Sequence, residues 1–296
     1  EDTLASPSYW QREALVYQSS LRSLLPPGLA MPRCLAVHQT DTRCWIWLED
    51  LGHMRETRWS FEHYAHAAYK LGQFNGTFLV QKPIPEWPWL SRNWLQNWVE
   101  AAAPEALRLM SLQEHELVQR WFPDRDFARV IDLWSRRDIL LAKLEKVPQT
   151  LCHLDANRRN MRVHLSSANE EIISLIDWAN CGIAAVGEEL AWLVWASYFL
   201  FEVEPEDVDE LEATTLTHYI SGLRATGWQG DEHEVHVGYT IGSALRNATA
   251  FGIDAVLDPQ KHAEIEKAFG APLDVCLDRW ADINNRVLTK MSTIPD

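Results

Sequence analysis

Between Leu151 and Trp178 the chain changes texture, and the change limits what can fold around it. Two short apolar runs, Met161–Leu165 and Ile172–Ile176, flank the polar stretch Ser166-Ser167-Ala168-Asn169. Runs of that length around turn residues predict a small β-hairpin. The segments on either side carry the three-and-four spacing of helices, so the hairpin must sit inside a helical body. Four polar residues are tied to it. His153 and Asp155 precede it, Asn160 stands at its start and Asp177 follows its second strand. Asn160 and Asp177 are 17 positions apart, and the hairpin brings them together.

The flanking segments support an α+β plan. In the first 25 residues Ser6-Pro7-Ser8 supplies a helix start, Trp10, Ala14, Tyr17, Leu21 and Leu24 recur on one face, and Pro26-Pro27-Gly28 ends the helix. Residues 33–38 and 43–49 predict two strands around the turn Gln39 to Thr42, with Asp50-Leu51-Gly52 leading away. Ser60 can cap a helix that carries Phe61, Tyr64, Ala68, Leu71, Asn75 and Phe78 on one side. Pro83, Pro85 and Pro88 interrupt the chain, and Ser91 can start the next helix. Another helix is expected from about Asp126 to Glu145, ended by Pro148, with Phe127, Val130, Ile131, Trp134 and Leu141 inward. Helices resume near Gly187 and continue to the C-terminus, broken near Pro205, Gly227–Gly230, Pro259 and Pro272. The order is helix, two strands, helices, β-loop-β, helices.

Composition excludes several classes. With 296 residues, 47% of them hydrophobic, the chain can bury a full core. Its longest apolar run, Leu190 to Phe201, falls short of the ~20 residues of a membrane span. A net charge of −15 opposes binding to nucleic acid or anionic lipid as a whole. Five scattered cysteines form no CxxC, which argues against a zinc ribbon or a disulfide framework and suits a reducing cytoplasm.

The polar residues of the hairpin unit suit one chemistry. Phosphoryl transfer from a nucleotide needs a carboxylate beside the attacking hydroxyl and oxygen ligands for the Mg²⁺ that neutralises the phosphates. Asp155 on a loop can orient or deprotonate a hydroxyl. Asn160 and Asp177 offer the hard oxygen donors that Mg²⁺ prefers.

The pattern His153-x-Asp155 with Asn160 five residues on, followed by Ile176-Asp177-Trp178, resembles the aminoglycoside phosphotransferase and choline kinase group within the protein-kinase-like fold. Trp47-Leu48-Glu49-Asp50 resembles that group's hinge between lobes, where backbone groups meet adenine. Trp10-Gln11-Arg12-Glu13-Ala14 resembles the helix whose Glu pairs with a phosphate-binding Lys. Gly182-Ile183 and Gly187-Glu188-Glu189-Leu190-Ala191 resemble the segment that follows the metal-binding Asp. The likeness spans residues 8–250 in rough terms.

It implies a two-lobed fold: residues 1–50 as the remnant of a truncated nucleotide-binding lobe, a hinge at 47–52, and residues 51–296 as a helical catalytic and substrate-binding lobe. The implied activity is ATP- (or GTP-) and Mg²⁺-dependent phosphorylation of an alcohol group on a small molecule. The resemblance implies Asp155 as catalytic base, with His153 and Arg158 supporting its loop. It implies Asn160 and Asp177 as metal ligands and Glu13, Glu49 and Leu51 as nucleotide-binding residues.

One departure bears on activity. The group's phosphate-covering loop and Lys do not lie ahead of Glu13, and no Lys precedes Lys70. Upstream strands outside this sequence, a shortened variant using another cation, and a nucleotide- or partner-binding relative without turnover all account for this. The absent initiator Met favours the first.

Further features each have a functional and a plain alternative. The seven carboxylates between Glu202 and Glu212 are either a subsite for a cationic substrate or a solvated helix start. Trp87, Trp89, Trp94 and Trp98 either line a pocket or pack helices together. His63 and His66 share a helix face without an evident third ligand, which favours packing over metal binding. Arg158 and Arg159 either touch phosphate or lie at the surface. Cys152 reads as a small buried residue. Glu188 and Glu189 suit a helix N-terminus, and one of them can face the cleft.

Overall fold

A computed structural model describes residues 4, 6, 9–52, 58–165 and 171–294. The N-terminal part holds two short helices, α1 (Arg12–Gln18) and α2 (Leu21–Leu24), then strands β1 (Leu29–Ala30), β2 (Cys34–Gln39) and β3 (Cys44–Leu48). The helical body follows with α3 (Phe61–Gly76), α4 (Trp94–Arg108), α5 (Glu116–Trp121), α6 (Asp124–Ser135) and α7 (Arg137–Leu144). Next come β4 (Gln149–Cys152), β5 (Met161–Leu165), β6 (Glu171–Leu175) and β7 (Gly182–Ala185). The remainder is α8 (Glu188–Phe199), α9 (Val208–Ala225), α10 (Glu232–Asn247), α11 (Ile253–Leu257), α12 (His262–Phe269) and α13 (Leu273–Met291).

The expected hairpin is present as antiparallel β5 and β6, with Met161 opposite Leu175 and Leu165 opposite Glu171. The turn predicted at 166–169 lies outside the described residues, as do Pro7 and Ser8 of the first helix start. Two pairings were not expected. β1 joins β6 in parallel, so residues 29–30 complete a three-stranded sheet on the hairpin. β4 pairs with β7 antiparallel and brackets the loop between them. Both pairings join distant segments, which local periodicity does not encode. β2 and β3 form the predicted hairpin, closed by Thr40 N–H to Arg43 O at 2.8 Å.

Two expected helices are each divided. The first breaks at Ser19, whose backbone is extended (ψ 177°). Its hydroxyl donates to Val16 O (2.7 Å) and accepts from Leu21 N–H (3.1 Å), so the side chain competes with the helical ladder. The helix expected from 126 to 145 breaks at Arg136 (φ −102°, ψ 3°), where the N–H is shared between Asp132 O and Leu133 O. Beside the break, Trp134 Nε1 is held by Ala248 O at 2.8 Å, a tertiary contact that outweighs local periodicity. Ser60 caps α3 as predicted, in a reciprocal box with His63.

The core gathers around α8, whose Leu190, Leu193, Val194, Trp195 and Ala196 are all buried. A helix apolar on every side belongs in an interior. Its 12 residues span ~18 Å, well below a bilayer's thickness. Among the described residues no helix is long and apolar enough to cross a membrane. α3 packs closely on α9 because both contribute glycine at the crossing. A Cβ on Gly72 would overlap the Tyr219 carbonyl, and one on Gly222 would overlap the Tyr69 carbonyl.

Candidate active site

The loop between β4 and β5 carries His153, Asp155 and Asn160, and the turn after β6 carries Asp177. Hairpin register brings these segments together: Ile176 N–H donates to Asn160 O at 2.9 Å, which sets Asp177 beside Asn160. Asp177 adopts a left-handed backbone (φ 61°, ψ 63°). Leu154, between His153 and Asp155, is also left-handed (φ 65°). Such geometry costs a non-glycine residue ~1–2 kcal/mol and persists only where surroundings impose it. At Leu154 they do. Its N–H donates to Glu189 Oε1 (3.1 Å) and its carbonyl accepts from Arg246 Nη1 (2.9 Å).

Asp155 is held from several sides. Asn160 Nδ2 donates to Asp155 Oδ2 (2.9 Å) and to its carbonyl (3.0 Å). Asn157 Nδ2 donates to Oδ1 (3.1 Å). Arg246 Nη2 lies 3.7 Å from Oδ1. The carboxyl sits above its ordinary pKa, chiefly through burial and also through the charge of Asp177. Arg246, Trp192 and Asn157 oppose that rise by favouring the carboxylate.

His153 is fully buried and packs on Trp178 at 4.4 Å between ring centroids. Nε2 meets Ile176 O (3.0 Å), and Nδ1 receives Asp155 N–H (3.2 Å). Burial pulls its pKa to about 3, so the ring is neutral. A neutral ring that donates on one side and accepts on the other ties the loop to the end of β6. Arg158 is buried as well. Its Nε and Nη2 make 2.7 and 2.6 Å bonds to the two oxygens of buried Glu202. Arg159 Nε adds a 2.9 Å bond to the same carboxylate. Both guanidinium groups therefore have a carboxylate partner within the protein.

Glu202 belongs to the acidic run, and other members also find cations. Glu204 pairs with Arg58 (2.8 Å), Asp209 with Arg286 (2.7 Å) and Glu212 with Lys290 (2.6 Å). Four of the run's seven carboxylates therefore sit in ion pairs, Glu202 and Glu212 buried and Glu204 and Asp209 exposed.

Glu13 on α1 turns toward the turn that follows Asp177. Its carboxyl is pushed up by burial and by the charge of Asp177, while a hydrogen bond from Trp178 N–H pulls the other way. The neighbouring Arg12, fully buried, donates to Trp89 O (2.7 Å), Ala179 O (3.0 Å) and Ser6 O, and so fastens α1 to that turn. Lys70 Nζ bonds Pro27 O (2.9 Å) and Gln73 Oε1 (3.2 Å). Glu49 closes the β2–β3 hairpin: Oε1 accepts from Arg33 N–H (2.8 Å), and its own N–H donates to Arg33 O (2.9 Å). Leu51 lies just beyond β3 and is half-buried.

Sequence reading missed the support beneath the loop. Glu189 Oε1 accepts from the N–H groups of His153 and Leu154, and Oε2 accepts from Asn75 Nδ2 (2.8 Å). Asn75 in turn bonds Leu151 O (2.9 Å) and receives Tyr219 OH (2.7 Å). The carboxyl of Glu189 rises to about 7, because burial outweighs these donors. Arg246 was missed entirely. Its guanidinium is clamped between the rings of Trp192 (3.9 Å) and Trp94 (4.3 Å). Trp94 was visible as part of a tryptophan cluster, Asn75 on an inward helix face and Glu189 at a helix start, but none of them as part of this support.

His63 and His66 do not act as a pair. His63 caps α3, and His66 Nδ1 meets Glu171 Oε1 at 3.0 Å. Among the described residues no group of three or more His, Cys, Asp or Glu is arranged to hold a metal. Asn160 and Asp177 lie on adjoining segments, and both carry side-chain oxygens of the hard kind that Mg²⁺ takes.

Residues 4–226 match the phosphotransferase enzyme family. No curated protein sequence matches the chain. Among solved structures, the chain is similar to an amicoumacin kinase in complex with AMP-PNP, Ca²⁺ and Ami, at 16% identity and TM-score 0.58, over 93% of this chain and 78% of that one. It is similar to an aminoglycoside phosphotransferase from Alicyclobacillus acidocaldarius at 14% identity and TM-score 0.57, over 99% and 86%. It is similar to a choline kinase from Cryptosporidium parvum at 13% identity and TM-score 0.51, over 96% and 78%. At these identities the likenesses establish the protein-kinase-like fold.

Proposed function

The chain belongs to the phosphotransferase enzyme family, and from that premise we propose that it moves the terminal phosphoryl group of ATP or GTP onto a hydroxyl of a small molecule, with Asp155 as the proton-accepting group. The observation that carries this reading is the environment of Asp155: a carboxylate fixed by Asn157, Asn160 and Arg246 at the mouth of the hairpin that holds Asp177. The amicoumacin kinase similar in fold was solved with a nucleotide analogue and a divalent ion, which supports a nucleotide donor and a metal here.

Asp155 aligns the acceptor hydroxyl and takes its proton as the oxygen bonds to the γ-phosphorus. The bond from that phosphorus to the β,γ-bridging oxygen breaks, and the diphosphate leaves. Asn160 and Asp177 would hold Mg²⁺, which supplies charge neutralisation on the phosphates when bound. Asn160 also braces Asp155 through two hydrogen bonds, so positioning the base and holding the ion share one side chain. His153 and Glu189 keep the loop in its left-handed turn. The segment 47–52 serves as the hinge between residues 1–50 and 51–296, with Glu49 and Leu51 offering backbone groups to the base.

A second reading is a nucleotide or partner binder without turnover, favoured by Glu13 meeting the Trp178 N–H where the family resemblance calls for a Lys partner. Phosphate transfer from γ-³²P-ATP to a panel of alcohols, with Mg²⁺ and with EDTA, separates the two. Transfer that needs Mg²⁺ supports the first reading; Mg²⁺-nucleotide binding without transfer supports the second.

A further inference from the structure

α10 meets the start of α8 along Gly238, Gly242 and Arg246, which share one helix face at intervals of four residues. Val186, Glu188 and Trp192 lie opposite them in turn. A Cβ on Gly242 would stand 2.9 Å from Glu188 Cγ, so the glycine makes room for that side chain one turn from Arg246. Glu188 and Arg246 each favour the other's charged form, and Asp155 acts on Arg246 in the same sense. The guanidinium is therefore shared by two carboxylates and two indoles.

The distance to Asp155 is the unusual feature. Arg120, Arg158 and Arg286 close on carboxylates to 2.6–2.7 Å, the ordinary range for such pairs. Arg246 Nη2 stops 3.7 Å from Asp155 Oδ1, beyond hydrogen-bond reach. Its Nη1 bond to Leu154 O (2.9 Å) holds one side, and Glu188 supplies a second negative charge. A guanidinium closed on Asp155 would occupy the lone pairs with which that carboxylate accepts a proton. A helix start does not by itself explain Glu188. It accepts from Ala185 N–H, ahead of α8, at 3.4 Å, and its half-buried carboxyl rises to about 7 despite Arg246. A glutamine would fill the same space without that cost, and residues that work against stability mark functional sites.

We propose that Glu188 is a positioning residue for phosphoryl transfer: from its place beside Gly242 it restrains Arg246 short of Asp155, so that the guanidinium stabilises the carboxylate without blocking it. The link to transfer rests on the phosphotransferase reading; the restraint on Arg246 does not. Removing the second charge lets Arg246 close on Asp155, which leaves a weaker base.

Crystal structures of wild type and Glu188→Gln at a pH above the Glu188 value of about 7 test the restraint, and single-turnover transfer from Mg²⁺-ATP tests its use. In Glu188→Gln the separation of Arg246 Nη2 from Asp155 Oδ1 is expected to shorten to about 2.8 Å. Transfer should slow by about tenfold, within the range of coupling between contacting residues, with ATP affinity unchanged and the melting temperature retained or raised. In an Arg246→Met background, Glu188→Gln should bring no further loss. Gly242→Ala, whose Cβ pushes Glu188 away from α10, should repeat the slower transfer with Glu188 itself intact. The proposal is overturned if the separation is the same in both crystals, if Glu188→Gln transfers at the wild-type rate, or if it slows transfer equally with and without Arg246. Shortening in the variant, with no transfer by wild type to any alcohol, would leave the restraint standing and remove the phosphotransferase reading.

Discussion

Arg246 sets Nη2 3.7 Å from Asp155 Oδ1 while Nη1 holds the Leu154 carbonyl, so one buried guanidinium fixes both the carboxylate and the strained residue before it. Burial lowers its own pKa to about 10, leaving it charged at neutral pH. Its charge favours the ionised form of Asp155. Asp177 works in the opposite direction, and Asn157 and Trp192 work with Arg246.

Arg246→Met should therefore raise the Asp155 pKa further. A base must be deprotonated to act, so the acid limb of kcat/KM moves to higher pH. Activity on the acid side of that limb should fall and recover as pH rises. A pH-rate profile checks this, and an unmoved acid limb would contradict it.

The two arginines of the loop should differ in weight. Arg158 and Glu202 are both buried and joined by two short bonds, whereas about half of the Arg159 side chain is exposed. Removing one partner of a buried pair costs about 3–5 kcal/mol, and an exposed one below about 1 kcal/mol. Urea unfolding of Arg158→Met and Arg159→Met should show that gap. Equal losses would show that the pair does not anchor the loop.

Glu188 predicts a pH dependence of stability. Burial raises its carboxyl to about 7 from an ordinary value of 4.5. Between those values the folded chain keeps a proton that the unfolded chain releases, so this group's contribution falls as pH rises. Neutral His153, held to about 3 from 6.5, works the opposite way below pH 6.5, while Glu189, also raised to about 7, adds to the trend. Relative to Glu188→Gln, wild type should lose on the order of 3 kcal/mol between pH 4.5 and 7. Paired urea melts at pH 4.5 and 7.5 measure it, and a constant difference between the two proteins would refute it.

The β4–β5 loop and the hairpin after it were legible because their residues are near in sequence and the hairpin's strands are short, apolar and bounded by polar turns. The β2–β3 hairpin and the cap at Ser60 were legible for the same local reasons. β1 on β6 and β4 on β7 were not, since nothing in Leu29-Ala30 or Gly182–Ala185 names a partner 30 or more residues away. The breaks at Ser19 and Arg136 come from a side-chain hydrogen bond and a neighbouring tertiary contact, neither of which a hydrophobic stripe records. Arg246 sits among apolar residues of α10 without a motif, and only the fold delivers it to Asp155. The acidic run read either as a subsite for a cation or as a solvated helix start; Glu202, Glu204, Asp209 and Glu212 in fact meet arginines and a lysine from distant segments.

The central claim is that Asp155 accepts the proton of a hydroxyl undergoing phosphorylation. Asp155→Asn keeps the shape and the Asn157 and Arg246 surroundings but removes the base. Single-turnover phosphate transfer from Mg²⁺-ATP to a bound alcohol, measured on wild type and this variant with equal nucleotide affinity verified, tests it most directly. The account predicts a loss of ~10²–10⁴-fold in the transfer rate with nucleotide binding unchanged. Transfer by Asp155→Asn at the wild-type rate would contradict it.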